Sequence, residues 1–315
     1  MLSAENLVKK FGNAAAVDGI SLTLKPQEVL GFLGPNGAGK TTTMRMLTGF
    51  MTPTSGTVNL DGIDLATDPI AVKAQLGYLP EGAPLYLDMT VLDFLKFCGN
   101  IRGVRGSYLK ERLEVSIATL QLEEVLGKRI EALSKGFKRR VGFAQAILHD
   151  PAVLILDEPT DGLDPNQKFH VRQLIKRLSA TKAILISTHL LEEVGAVCTR
   201  AMIIAKGKMV AMGTPVELCK LSPRYQAVLA YGEDSVLTGL RQAFAAHALV
   251  TEVEEVLVND QLVGIRLLNQ HPAELLAEVN KTARAKNWAF DRLLLEQDVM
   301  DNVFRRVTGG EFGHG

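Results

Sequence analysis

The sequence predicts an α/β fold with a mostly parallel core sheet, followed by a smaller α+β domain. Three observations carry this prediction. Over the first 218 residues, short runs rich in Val, Ile and Leu alternate with helical stretches, as expected of strands buried on both faces of a parallel sheet. Two helical stretches precede the second run and look like an insertion into that core. Past residue 218 the order becomes βαββαβ, the pattern of a split-βαβ, ferredoxin-like unit. The length of 315 residues suits two domains of roughly 150 residues each. An apolar share of 47% with 22% charged residues excludes a disordered chain, which needs few apolar residues and a large net charge.

The core strands are expected at Val29–Leu33, Ala152–Leu156 and Ala183–Ile186. A buried helical segment is the competing reading of each run, but their length and the Gly, Pro or polar residues after them favour strands. Val91–Arg102 and Leu109–Leu120 read as helices of a helical subdomain spanning about 82–150, within a first domain of 1–218. The second domain, 219–308, reads as strand Tyr225–Ala230, helix Ser235–Ala246, strands Leu249–Val258 and Gln261–Leu267 joined at Asn259-Asp260, helix Pro272–Lys286 and strand Trp288–Leu294. A last helix is expected at Asp298–Val307, before a disordered tail at 309–315.

Lys plus Arg and Asp plus Glu both number 35, so the net charge is zero. That argues against a dedicated nucleic-acid binder, which carries a strongly basic surface. Cys98, Cys198 and Cys219 form no Cys-x-x-Cys pair, which excludes a zinc ribbon or a dense disulfide framework. There is no basic-then-apolar leader and no apolar window of membrane-spanning length. The chain is expected to be soluble and to meet a membrane only through a partner.

Gly34-Pro35-Asn36-Gly37-Ala38-Gly39-Lys40-Thr41 matches G-x-x-x-x-G-K-[ST] at every fixed position. It follows the strand Val29–Leu33 and opens the helical stretch Thr42–Leu47, the context such a phosphate cradle needs. Backbone N–H groups and a helix N-terminus present partial positive charge to an anion. Lys40 is expected to reach the β- and γ-phosphates of a nucleotide, and the Thr41 hydroxyl to hold Mg²⁺. The bland alternative is a Gly-rich turn with a solvent lysine. Val153-Leu154-Ile155-Leu156 ends in Asp157 and Glu158. Asp157 would hold Mg²⁺, and Glu158 could act as general base on water. Alternatively these are two solvated acids before a turn at Pro159. Taken alone, the cradle says only that the chain is a P-loop nucleotide binder.

Between cradle and acids lies Leu133-Ser134-Lys135-Gly136-Phe137, which resembles the Leu-Ser-Gly-Gly-Gln signature of ABC-type ATPases. Cradle, signature, acids, Asp161-Gly162-Leu163-Asp164 and Ser187-Thr188-His189 follow in the order of that family, a resemblance covering about 2–216. It implies that two cassettes sandwich two ATP molecules. Ser134 and the Gly136 N–H would bind the γ-phosphate in trans. His189 would hold the attacking water. Asp164 would tie the two composite sites together, and Phe11 would stack on adenine. Thr42 would join the residues of the cradle. Other readings stay open: Ser134 as an ordinary N-cap, with Lys135, Lys138, Arg139 and Arg140 a solvated basic face; His189 as a polar strand end; Phe11 as core packing. Two departures stand out. Lys135 and Phe137 replace Gly and Gln in the signature. Leu79-Pro80-Glu81 has Glu81 where the family commonly has a Gln that contacts Mg²⁺; Glu81 can also ligate that cation.

The variants Gly77-Tyr78-Leu79-Pro80-Glu81 and Leu133-Ser134-Lys135-Gly136-Phe137 resemble the export-type branch. It includes multidrug-resistance and gliding-motility-associated ATPases and relatives serving lipid, polysaccharide or antibiotic export. That resemblance implies a homodimer on ATP binding and separate ABC-2 type permease subunits. It places the chain at the cytoplasmic face of the cell membrane. The alternative is a soluble regulatory ABC ATPase or nucleotide-binding module not coupled to transport. A translation ATPase of this class would need two cassettes, and a chromosome-maintenance ATPase a long coiled coil between Lys40 and Leu133.

Overall fold

The computed structural model describes residues 1–219, 227–258, 261–269, 271–296, 303–304 and 308. The chain divides into two compact units, Met1–Pro215 and Val216–Gly315. The first begins with β1 (Leu2–Phe11) and β2 (Ala14–Leu24), then β3 (Val29–Leu33), α1 (Lys40–Leu47), β4 (Ser55–Leu60), β5 (Ile63–Asp64), α2 (Pro69–Ala74) and β6 (Leu76–Leu79). Next come α3 (Val91–Ile101), α4 (Gly106–Leu120), two 3-10 turns and α5 (Lys135–Ile147). The unit closes with β7 (Val153–Asp157), α6 (Pro165–Ser179), β8 (Ala183–Thr188), α7 (Leu191–Val197), β9 (Arg200–Ala205) and β10 (Lys208–Gly213).

The core sheet has the order β10-β9-β3-β8-β7-β6. Its inner pairs are parallel, and only β10 runs antiparallel, on the edge. Alternate residues of each strand go to opposite faces, as the pleat requires. Leu154, Leu156, Ile184 and Ile186 pack towards α3, α5 and α6. Leu30, Phe32, Val153, Ile155 and Leu185 pack with α1 and a second sheet. Each fully buried Leu, Ile or Phe contributes about 1.5–3 kcal/mol. The continuous apolar runs of the sequence therefore reflect burial on both faces.

That second sheet was not anticipated. It is antiparallel, with the order β2-β1-β4-β5. Its signal was present: two residues, Gly12-Asn13, separate β1 from β2, a hairpin spacing, and Gly12 takes φ +58°. The insertion between β6 and β7 is helical, as expected. It is fastened to the core at Leu76. Arg102, just after α3, donates to the carbonyls of Lys73 (3.0 Å) and Leu76 (3.1 Å), and His149 Nε2 lies 3.0 Å from the same Leu76 oxygen.

In the second unit β11 (Ala227–Gly232), α9 (Asp234–Phe244), β12 (Glu252–Val258), β13 (Gln261–Leu268), α10 (Pro272–Lys286) and β14 (Phe290–Glu296) follow α8 (Pro215–Cys219). The strands pair antiparallel in the order β12-β13-β11-β14. Leu237, Leu240 and Phe244 of α9 and Leu275 and Val279 of α10 pack with Val228, Ile265 and Leu267. Residues 225–226 of the first expected strand, the Asn259-Asp260 turn, most of Asp298–Val307 and the Gly309–Gly315 tail lie outside the described residues.

Burial, and secondarily the neighbouring Arg102 charge, pushes the His149 imidazole down to about 4. The folded chain thus keeps His149 neutral where the unfolded chain, with an ordinary value of 6.5, already takes up a proton. Stability should fall as pH drops from 6.5 towards 4. His149→Gln is expected to flatten that fall, read as the urea midpoint against pH.

Candidate functional site

The cradle starts where β3 ends. Gly39 takes φ +102°, and a Cβ there would sit 2.5 Å from the Ala16 carbonyl oxygen, so no larger residue fits. Gly39 also occupies the N-cap of α1 without any side-chain cap, which leaves the first-turn N–H groups facing the loop. A cavity of 660 Å³ opens there, lined by Pro35, Asn36, Gly37, Gly39, Lys40, Thr41 and Thr42 of the cradle. Gly34 and Ala38 of the cradle do not line it. Ala16, Glu81, Glu158, Asp161 and His189 complete the lining. Lys40 is buried, and its ammonium donates to the carbonyls of Gly34 (2.7 Å) and Pro35 (3.3 Å). Burial lowers the Lys40 pKa, while Glu158 and Asp157 oppose the shift.

Asp157 and Glu158 end β7 beside β8. Asp157 is fully buried. The Ser187 hydroxyl donates to Asp157 Oδ1 and accepts from the Glu158 N–H at 2.9 Å. Asp157 Oδ2 is buried with no hydrogen-bond partner. A carboxylate oxygen in that position is expensive to leave alone, and it suits a cation. Glu158 takes φ +45°, a left-handed backbone that non-glycine residues adopt under constraint. Its carboxylate lies 3.7 Å from Lys40 Nζ and 2.9 Å from His189 Nδ1. Burial raises the Glu158 pKa against the opposing pull of His189 and Lys40. The solvated-acid reading of both residues is therefore excluded.

One open reading of the sequence placed Arg139 on a solvated basic face with Lys135, Lys138 and Arg140. Instead it is buried. Its guanidinium bonds the carbonyls of Pro80 and Glu81 on one side and Asp157, Glu158 and Pro159 on the other. Nothing in a run of basic residues distinguishes the one that turns inward; only the packing of α5 does. Gly142 of α5 comes so close to the 79–83 segment that an added Cβ would lie 2.8 Å from the Ala83 Cβ.

The remaining sequence candidates lie elsewhere. Ser134 caps α5, accepting from the Phe137 N–H at 3.3 Å. The Gln167 side chain covers Gly136, within 2.7 Å of where a Cβ would stand. Asp164 caps α6 through the Gln167 N–H at 2.9 Å. Neither Ser134, Gly136 nor Asp164 lines the phosphate cavity. Lys135 pairs with Asp161 at 3.9 Å, both exposed, an interaction worth at most about 1 kcal/mol. Phe11 is 53% exposed, which excludes core packing, with Lys9 over its ring; it does not line the phosphate cavity either.

Three comparisons bear on this geometry. The family model for ABC transporters matches residues 17–161. The chain is 31% identical to the linearmycin resistance ATP-binding protein LnrL of Bacillus subtilis, over 98% of both chains. It is 33% identical to the Nod factor export ATP-binding protein I of Cupriavidus metallidurans, over 99% of this chain and 98% of that one. A solved ATP-binding subunit of an ABC transporter matches 70% of this chain and 92% of its own, at 28% identity and a TM-score of 0.65. With cradle and acids at the carboxyl ends of two parallel strands that flank β8, and with full-length likeness to such subunits, this chain belongs to the ABC transporter ATP-binding proteins, a family of P-loop ATPases.

Proposed function

We propose that the chain is the ATP-hydrolysing subunit of a bacterial exporter, acting as a homodimer on ABC-2 type permease subunits. The observation that carries this reading is the composition of the 660 Å³ cavity. It holds the cradle, Glu81, Glu158 and His189 but not Ser134 or Gly136, so those two reach a γ-phosphate only from a second copy. The relatives of this chain over its whole length serve linearmycin resistance and Nod factor export, which supports export over a regulatory ATPase uncoupled from transport.

In this reading the cradle N–H groups and Lys40 hold the β- and γ-phosphates, and Phe11 stacks on adenine. Glu158 takes a proton from water held by His189. The water oxygen bonds the γ-phosphorus as the bond to the ADP oxygen breaks. Thr41, Asp157 and Glu81 would hold Mg²⁺. The unpartnered Asp157 oxygen fits it. Mg²⁺ takes few protein ligands and completes its shell with phosphate and water. When bound, it neutralises charge on the phosphate oxygens. Asp164 ties the two composite sites across the dimer.

A groove of about 670 Å³ supports a membrane partner. It is lined by Phe50, Ile70 and Ile101, exposed by 78%, 82% and 68%. It runs on to Pro80 and Gly82, the neighbours of Glu81. No helix among the described residues is long and apolar enough to span a bilayer. In this reading the spans belong to the permease, and the chain sits at the cytoplasmic membrane face.

Glu158→Gln should lower ATP turnover by about 10²–10⁴-fold while ATP still binds, and should trap a dimer visible by light scattering. A solitary, fully active variant would refute both the base and the dimer. Because burial raises the Glu158 pKa, and the base works only when ionised, kcat should fall on acidification at a midpoint above the ordinary 4.5. Ile101→Asp should reduce the ratio of permease-stimulated to unstimulated turnover at least fivefold in proteoliposomes.

A further inference from the structure

We propose that Arg139 is a positioning residue of the ATPase site, one that makes the 80–81 segment and the 157–159 segment move as a single body with α5. The inference rests on the ATPase reading, since Glu81 carries a candidate metal ligand on one segment and Asp157 and Glu158 carry the acids on the other.

A guanidinium has five N–H donors in a rigid planar fork. Arg139 uses all five. Nε donates to the Pro159 oxygen at 3.1 Å. Nη1 donates to Pro80 at 3.1 Å and Glu81 at 2.7 Å. Nη2 donates to Asp157 at 2.7 Å and Glu158 at 2.5 Å. Every acceptor is a main-chain oxygen. The side chain therefore fixes the backbone that carries the acids and leaves their carboxylates for other work. Its own carrier is held as well. Gln145, two turns further along α5, donates to the Tyr78 oxygen at 2.9 Å, and Gly142 lets the helix approach Leu79 and Ala83 closely.

The consequence concerns transmission. The groove lined by Ile70 and Ile101 reaches Pro80 and Gly82, on either side of Glu81. A push there displaces the 80–81 carbonyls. Through one planar group it displaces the Glu158 backbone, already held in a left-handed conformation. Lysine cannot replace this connection, because its ammonium has three donors and no fork. Glutamine can reach one segment but not both.

The test compares Arg139→Lys and Arg139→Gln with the parent. ATP affinity, site occupancy and turnover per occupied site are measured separately. The expected result is an ATP affinity within threefold of the parent and a turnover per occupied site lower by about 10²-fold, the order of loss an ångström-scale misplacement produces. The Mg²⁺ half-saturation should also rise. Parent turnover per occupied site with unaltered Mg²⁺ dependence, even in a variant of reduced thermal stability, would overturn the proposal. Where neither variant folds, hydrogen exchange on the parent chain decides. Peptides covering 77–83 and 156–163 should open with one rate and be slowed together by ADP with Mg²⁺. Independent rates overturn it. A parent chain that hydrolyses no ATP sinks the ATPase reading itself, a distinguishable failure.

Discussion

One register governs the site. In the parallel sheet Leu33 stands opposite Thr188, Asp157 opposite Ser187, and Leu79 opposite Leu156. The carboxyl ends of β3, β8, β7 and β6 therefore finish at one level. The residues that leave those ends are the cradle, His189, the Asp157–Glu158 pair and Glu81. Ligands of open α/β sheets bind where strands end in this way. A slip of one residue in any pair would turn apolar side chains out of their layers, so the burial of Ile155, Leu156, Leu185 and Ile186 also sets the alignment of the polar groups.

Strain and burial are concentrated at that level. Glu158 keeps a left-handed backbone because Ser187 holds its N–H and Arg139 holds its carbonyl. The same Ser187 hydroxyl orients Asp157. Two carboxylates in sequence thus receive different surroundings. One is fully enclosed, with one oxygen left without a hydrogen-bond partner. The other faces a lysine and a histidine in an open cavity. Such separation of environments is how neighbouring acids come to have separate tasks.

Much of this could be read from residue types. The cradle and the acids stand next to apolar runs, and those runs are strands because both faces of the sheet are covered. The helical insertion and the βαββαβ order past residue 218 were legible from periodicity and turn residues. The antiparallel sheet of β1, β2, β4 and β5 was not. Its strands are half-exposed and irregular in register, so the alternation from Leu2 to Leu24 is broken by shifts at Leu7 and Lys10. Arg139 was illegible for another reason. Four basic residues follow Leu133 within eight positions, and their chemistry is the same; only the close approach allowed by Gly142 selects which one is enclosed.

The helical insertion also bears on how the chain reaches its fold. β6 and β7 are neighbours in the sheet, yet 80–152 intervene. Closing a flexible loop of that length costs about 4 kcal/mol of chain entropy. An ordered insertion shortens the distance to be searched, since Arg102, just after α3, and His149, near its carboxyl end, converge on Leu76. Early formation of α3 to α5 would therefore speed the pairing of the edge strand β6 with β7.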